Sequence, residues 1–201
     1  MTDLFADTSP RRMPLDGGDV VYHPAPALGA MPDTLLAALR SEIPWEQRTI
    51  RIQGREIPQP RLTAWLGTVR YRYSGIHHEP RPFTPVLEGL RQRLQAITGA
   101  SYNSVLCNLY RHGRDSIGMH ADDEPELGSQ PTIASLSFGA TRTFDLRRKD
   151  KTGRTLHIPL EHGSLLVMSG DTQKYWLHGI AKVQHPVGER LNLTFRLTHP
   201  R

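Results

Sequence analysis

The chain has 201 residues, and its hydrophobic share of 37% is enough for one core or a core with an N-terminal elaboration. No apolar run approaches the roughly 18 residues of a membrane span; the lone Cys107 excludes intramolecular disulfides, and Met1–Asp7 lacks the basic-then-apolar pattern of a secretory signal, so a cytoplasmic location is expected. The net charge is +5 with 21 of 25 cations arginine, a balance compatible with a nucleic-acid ligand and equally with biased codon usage.

Residues 1–18, with Pro10, Arg11, Arg12, Pro14 and Gly17-Gly18, read as a flexible leader. A helix is predicted over 33–42, with Leu35, Leu36, Leu39 and Ile43 near one face and Pro44 as its stop. A second is predicted over 85–98: Thr84 suits the N-cap, Pro85 the first turn and Gly99 the end, with Leu87, Leu90, Leu94 and Ile97 as the buried stripe. Beyond residue 100 the pattern turns to short strands, at 104–111, 131–138, 142–148, 155–160, 163–169, 178–183 and 190–198. Two helices followed by such a run predict an α+β chain, mainly β: an antiparallel sandwich or jelly roll with the helices on one side.

Two segments carry chemistry. In His120-Ala121-Asp122, side chains two apart on an extended strand point the same way, so His120 and Asp122 are placed to grip one ion. A later histidine is needed as third ligand, and His178 opens a predicted strand downstream. Two histidines and one carboxylate leave positions open on an iron for oxidant and co-substrate. The second segment, Arg190-Leu191-Asn192-Leu193-Thr194-Phe195-Arg196, alternates without a break. Its polar face is either solvated or lines a pocket, where Arg190 and Arg196 would hold the two ends of a small dicarboxylate with Asn192 and Thr194 between them. Asn108 and Tyr110 share one face of 104–111 and offer further donors.

The stretches Asn108–Gly113, Ile117–Glu124, Ile133–Ala140, His162–Met168 and Arg190–Arg196 resemble, in order, the AlkB family of nucleic-acid dealkylases, its duplex-DNA-repair branch and bacterial members above all. The resemblance implies a double-stranded β-helix core at 101–201 and an extension at 19–100 carrying a nucleotide-recognition lid and the helices, in one compact body. It implies Fe(II) on His120, Asp122 and His178. It also implies 2-oxoglutarate as co-substrate, its keto-acid end near Arg196 and its far carboxylate on Arg190, supported by Asn108, Tyr110, Asn192 and Thr194. With O2, such an enzyme oxidises an N-alkyl group on a base of the 1-methyladenine or 3-methylcytosine type, yielding aldehyde, succinate and CO2.

A base must leave its stack to reach the iron, at a cost of a few kcal/mol. The family match places Tyr73, with Tyr71, as the stacking partner, and Asp123 and Glu124 at the exocyclic edge of the base; ordinary strand residues and a solvated acidic loop are the plainer readings. The match also sets Gln53 where the duplex-specific branch has an aromatic wedge, which favours single-stranded or locally opened alkylated DNA. Arg48, Arg51, Arg55 and Arg61 are candidates for phosphate contacts. The chain is expected to act as a monomer, away from membranes. Three alternatives stand beside this reading: RNA or a methylated protein as substrate, a non-catalytic nucleic-acid-binding module, and a zinc hydrolase. The last leaves the two inward arginines unexplained.

Overall fold

The computed structural model describes residues 7–52, 55–69, 71–73, 76–78 and 80–199, with 51–52, 71–73 and 76–78 described in backbone only. In chain order the elements are β1 (Arg11–Met13), β2 (Asp19–His23), α1 (Pro32–Glu42), β3 (Thr49–Ile52), β4 (Arg55–Pro58), β5 (Leu62–Gly67), β6 (Tyr71–Tyr73), β7 (Ile76–His78) and α2 (Pro85–Thr98). There follow β8 (Ser104–Tyr110), β9 (Ile117–His120), β10 (Ile133–Gly139), β11 (Arg142–Arg148), β12 (Leu156–Leu160), β13 (Ser164–Ser169), α3 (Thr172–Tyr175), β14 (Trp176–Ile180) and β15 (Arg190–Arg196).

Seven strands form the major sheet in the order β1-β2-β13-β10-β15-β8-β5, and four form the minor sheet in the order β12-β11-β14-β9. Neighbours within both sheets run antiparallel. This is the mainly β, jelly-roll class the strand pattern predicts.

The major sheet is buried on both faces. Outward-pointing Cys107, Leu109, Leu136, Leu191, Leu193 and Phe195 meet Leu35 and Leu39 of α1 and Leu87, Leu90 and Leu94 of α2 in one apolar cluster. Each such leucine contributes about 1.5–3 kcal/mol of transfer free energy. The helix ends match their sequence signals: Thr84 accepts a hydrogen bond from the Leu87 amide, and Gly99 takes a left-handed φ of 71° that closes α2. On the other face, Tyr110, Ile133, Leu166 and Met168 pack against Phe144, Leu146, Ile158 and Ile180 of the minor sheet.

The N-terminal segments contribute strands to the major sheet. β2 and β5 are strands of the major sheet, and β1, within the segment read as a flexible leader, pairs along β2. Trp176 Nε1 donates to the Asp16 carbonyl at 3.0 Å, tying the same segment to β14. Its polar Arg-Arg-Met sequence gives no hydrophobic alternation because it is an edge strand held by backbone pairing.

Candidate active site

The cavity lies between the sheets, lined from the major sheet by Asn108, Tyr110, Ser135, Arg190, Asn192, Thr194 and Arg196 and from the minor side by His120, Asp122, Phe144 and His178. Register explains the grouping. Asn192 stands opposite Asn108 on one side and Ser137 on the other, and Arg190 opposite Tyr110, so their side chains share the inner face.

At one end, β14 and β9 set His178 directly across from His120, their rings 4.4 Å apart between centroids. Gly179 allows this approach: a Cβ there would sit 3.0 Å from the Ile117 carbonyl and 3.1 Å from that of Gly118. Ligand atoms of His120, Asp122 and His178 all lie within 4.8 Å of one another, the only such group of three among the described residues. His120 Nδ1 donates to the Gly118 carbonyl at 2.9 Å, which turns Nε2 toward Asp122 Oδ1 at 3.7 Å. A ring fixed through one nitrogen and free at the other is how a metal-ligating histidine is commonly held.

Asp122 and His178 are in metal-binding form. Burial tends to raise the Asp122 carboxyl, but Arg196, His178 and His120 outweigh it and hold the pKa at about 2. Burial, then the His120 charge, lowers His178 to about 3, so its imidazole is neutral. Asp122 Oδ1 and His178 Nδ1 are buried with no hydrogen-bond partner among the described residues, a cost that a cation removes. Asp122 Oδ2 instead accepts from Arg196 Nη2 at 2.7 Å, with both side chains almost fully buried. These residues fit Fe(II).

The far end presents a buried guanidinium with open donors. Arg190 is 1% exposed; its Nη2 donates to Ser137 Oγ at 2.9 Å, while Nε and Nη1 meet no partner among the described residues. Its guanidinium carbon lies 5.2 Å from the centroid of the Tyr110 ring. Asn108 Oδ1 accepts from Arg61 Nε at 2.8 Å, leaving its amide nitrogen as the donor available to an anion. Asn192 is more fully engaged: Nδ2 donates to Ser135 Oγ and the Leu136 carbonyl, and Oδ1 accepts from Thr194 at 3.1 Å. It braces the inner face together with Thr194.

The residues expected to meet nucleic acid are placed less uniformly. Arg61 departs from the phosphate-contact expectation, because it is 5% exposed and spends its guanidinium on Asn108 and the Ser116 carbonyl. Arg48 pairs with Glu46 at 2.8 Å, and Arg55 is exposed on β4. Asp123 pairs at the surface with Lys149 at 2.9 Å, and Glu124 precedes a single 3-10 turn at Pro125–Leu127. Tyr71 and Tyr73 belong to β6, paired with β7, but the expected stacking concerns side chains outside the described residues, as do the side chain of Arg51 and Gln53.

Gln173, unremarked in the sequence, is 2% exposed, and its Oε1 accepts from the Asp122 amide at 2.9 Å. A glutamine in a four-residue helix gives no pattern from which that contact follows. Ser135 and Ser137 were legible in principle, since they alternate with Ala134, Leu136 and Phe138.

The model of the 2OG-Fe(II) oxygenase superfamily matches residues 29–196. The chain is 48% identical over 177 residues to human "Alpha-ketoglutarate-dependent dioxygenase alkB homolog 3", covering 84% of this chain and 62% of that protein, so it spans about three fifths of the relative's length. It is 34% identical over 223 residues to "DNA oxidative demethylase ALKBH2" of Arabidopsis thaliana, covering 96% of this chain and 71% of that one. Among solved structures, that of OsALKBH1 superposes with a TM-score of 0.63 over 92% of this chain and 99% of its own, at 18% identity, a likeness of fold. A family match that runs through every residue of the metal and anion ends, on a sheet pair of the same architecture, makes the chain a member of the AlkB family within the 2OG-Fe(II) oxygenases.

Proposed function

We propose that the chain catalyses Fe(II)- and 2-oxoglutarate-dependent oxidative dealkylation of N-alkylated bases, of the 1-methyladenine and 3-methylcytosine type, in single-stranded or locally opened DNA. The observation that carries this reading is the pairing of a two-histidine, one-carboxylate cluster with the Arg190 end of the same enclosed cavity. A hydrolytic zinc centre has no use for a buried guanidinium with open donors at the opposite end, whereas a 2-oxo dicarboxylate does.

His120, Asp122 and His178 would hold the iron, and Arg190, Tyr110 and Asn108 the far carboxylate. Bound iron supplies oxidation of the alkyl carbon by O2, coupled to decarboxylation of 2-oxoglutarate. Arg196 keeps Asp122 ionised and orients one of its oxygens away from the metal position, leaving Oδ1 for the ion. Gln173 fixes the backbone of the same aspartate. The site lies between the two sheets, so only a base that has left its stack would enter.

The test is anaerobic loading with Fe(II) and 2-oxoglutarate, then exposure to air with a 1-methyladenine oligodeoxynucleotide, beside the matching oligoribonucleotide and a His120→Ala control. Formaldehyde and unmethylated DNA strand in equal amounts, absent from the control, are expected. Conversion of the RNA alone moves the activity to RNA. Consumption of 2-oxoglutarate with both strands untouched ends the nucleic-acid assignment.

A further inference from the structure

Arg142 is a buried arginine that no step of the proposed reaction uses. It is 3% exposed and enters the inter-sheet space from β11, on the face shared by Phe144 and Leu146. Phe144 stacks on His178 at 5.2 Å, and Arg142, two residues back along the strand, is displaced from the metal ligands; it does not itself line the cavity but adjoins Tyr110, which does. Its guanidinium carbon is 5.9 Å from the centroid of the Tyr110 ring, the same ring that Arg190 approaches from β15.

Its hydrogen bonds do not satisfy it. Nη2 donates to the carbonyls of Asp115 and Ala181, while Nη1 is buried with no partner among the described residues. The nearby carboxylate, Asp115, is engaged by Arg111 through a forked pair. Tyr110 is therefore approached by two buried cations from opposite sheets, with an open donor on each. The two repel: after burial, the Arg142 charge is among the influences that lower the Arg190 guanidinium. Burying two like charges against one ring is costly unless an anion joins them.

We propose that Arg142 is a specificity-determining residue for the co-substrate, a second cation that selects a 2-oxo acid ending in a carboxylate. This rests on the reading of the cavity as a 2-oxoglutarate site. With one sheet supplying Arg190 and the other Arg142, the far carboxylate becomes an electrostatic tie between the sheets, and a 2-oxo acid without it leaves their repulsion unrelieved.

The test uses the Mn(II)-loaded full chain, which holds ligand without turnover. Calorimetric affinities are measured for 2-oxoglutarate and for 2-oxopentanoate, the same carbon chain without the far carboxylate. Arg142→Gln keeps a hydrogen-bonding amide on a shorter side chain and removes the charge. It is expected to weaken 2-oxoglutarate about 10- to 100-fold, the loss typical of one charge-assisted hydrogen bond, and to leave 2-oxopentanoate within about twofold. Arg142→Lys, which keeps a charge, is expected to recover part of the preference. Equal weakening of both ligands marks a packing role and overturns the proposal, as does an unchanged 2-oxoglutarate affinity. Should Arg142→Gln fail to fold, guanidinium NMR signals of the Zn(II)-loaded wild type decide. The Arg142 signal must shift with 2-oxoglutarate and stay with 2-oxopentanoate, and a signal indifferent to both ligands overturns the assignment. Wild type that takes up Mn(II) but no 2-oxoglutarate overturns the functional reading itself, whereas wild type that binds it normally beside an unaltered Arg142→Gln sinks only this inference.

Discussion

Asp115 and Asp122 are both buried, and each is held by one arginine, yet they answer to different needs. Asp122 leaves one oxygen open for a metal; Asp115 spends both, on Arg111 Nε at 2.8 Å and Nη2 at 3.0 Å, with the Arg111 amide also donating at 3.0 Å. Burial works to raise the Asp115 carboxyl, but the hydrogen bonds and charge of Arg111 prevail and its pKa is lowered. A carboxylate with a folded pKa below its unfolded value stabilises the native state fully above the unfolded pKa, near 3.8, and loses that contribution as pH falls through the folded one. Asp115→Asn is therefore expected to lower stability at pH 7 and to flatten its fall below about pH 4. Urea unfolding from pH 3 to 7 checks this; parallel acid limbs in the two proteins would show that Asp115 is not a source of acid lability. The consequence reaches the site, because the backbone at 115–116 accepts hydrogen bonds from both Arg142 and Arg61.

At the scale of elements, α2 shows which sequence signals are sufficient. Cap, first-turn proline, apolar stripe and terminal glycine agree, and the helix runs over Pro85–Thr98 as that agreement predicts. Packing rather than capping carries its stability. Leu90, 1% exposed in the cluster under the major sheet, should cost about 2–5 kcal/mol as Leu90→Ala. Thr84→Ala, losing a cap bond of 3.4 Å, should cost under about 1 kcal/mol. Denaturant midpoints of the two variants measure the difference, and a larger effect at Thr84 would contradict the assignment. β15 was equally legible, because its apolar side faces the helices and its polar side the cavity, which leaves the alternation unbroken. β5 was not: residues 63–67 are buried throughout, so Thr63-Ala64-Trp65-Leu66-Gly67 shows no period of two. β9 escaped notice because it is four residues with a glycine second, and its partner β14 lies far along the chain. The metal ligands were legible as residue types at a spacing. Their second supports, Gln173 and Gly179, follow only from which strands meet.

Across the whole molecule, ligands at the two ends of one cavity are held by different sheets. The metal residues belong to β9, β14 and the segment after β9, while Arg190, Asn108 and Tyr110 belong to β15 and β8. A metal alone should brace the minor-sheet side, and 2-oxoglutarate, if it chelates that metal, should add a brace across the sheets. A ligand present at 100 times its dissociation constant stabilises the native state by about 2.7 kcal/mol. In a chain of this length that corresponds to a rise of about 5–10 °C in melting temperature. In thermal melts, Mn(II) is therefore expected to raise the melting temperature alone, and 2-oxoglutarate to raise it further only when Mn(II) is present. His178→Ala should abolish both shifts, because without the metal grip the co-substrate has no keto-acid anchor. Arg190→Met should keep the Mn(II) shift and lose most of the 2-oxoglutarate increment, since it removes the buried guanidinium that β15 presents to the far carboxylate. A 2-oxoglutarate shift of equal size with and without Mn(II) would mean that the co-substrate sits away from the metal, and the cavity would then join two independent sites rather than one reaction centre.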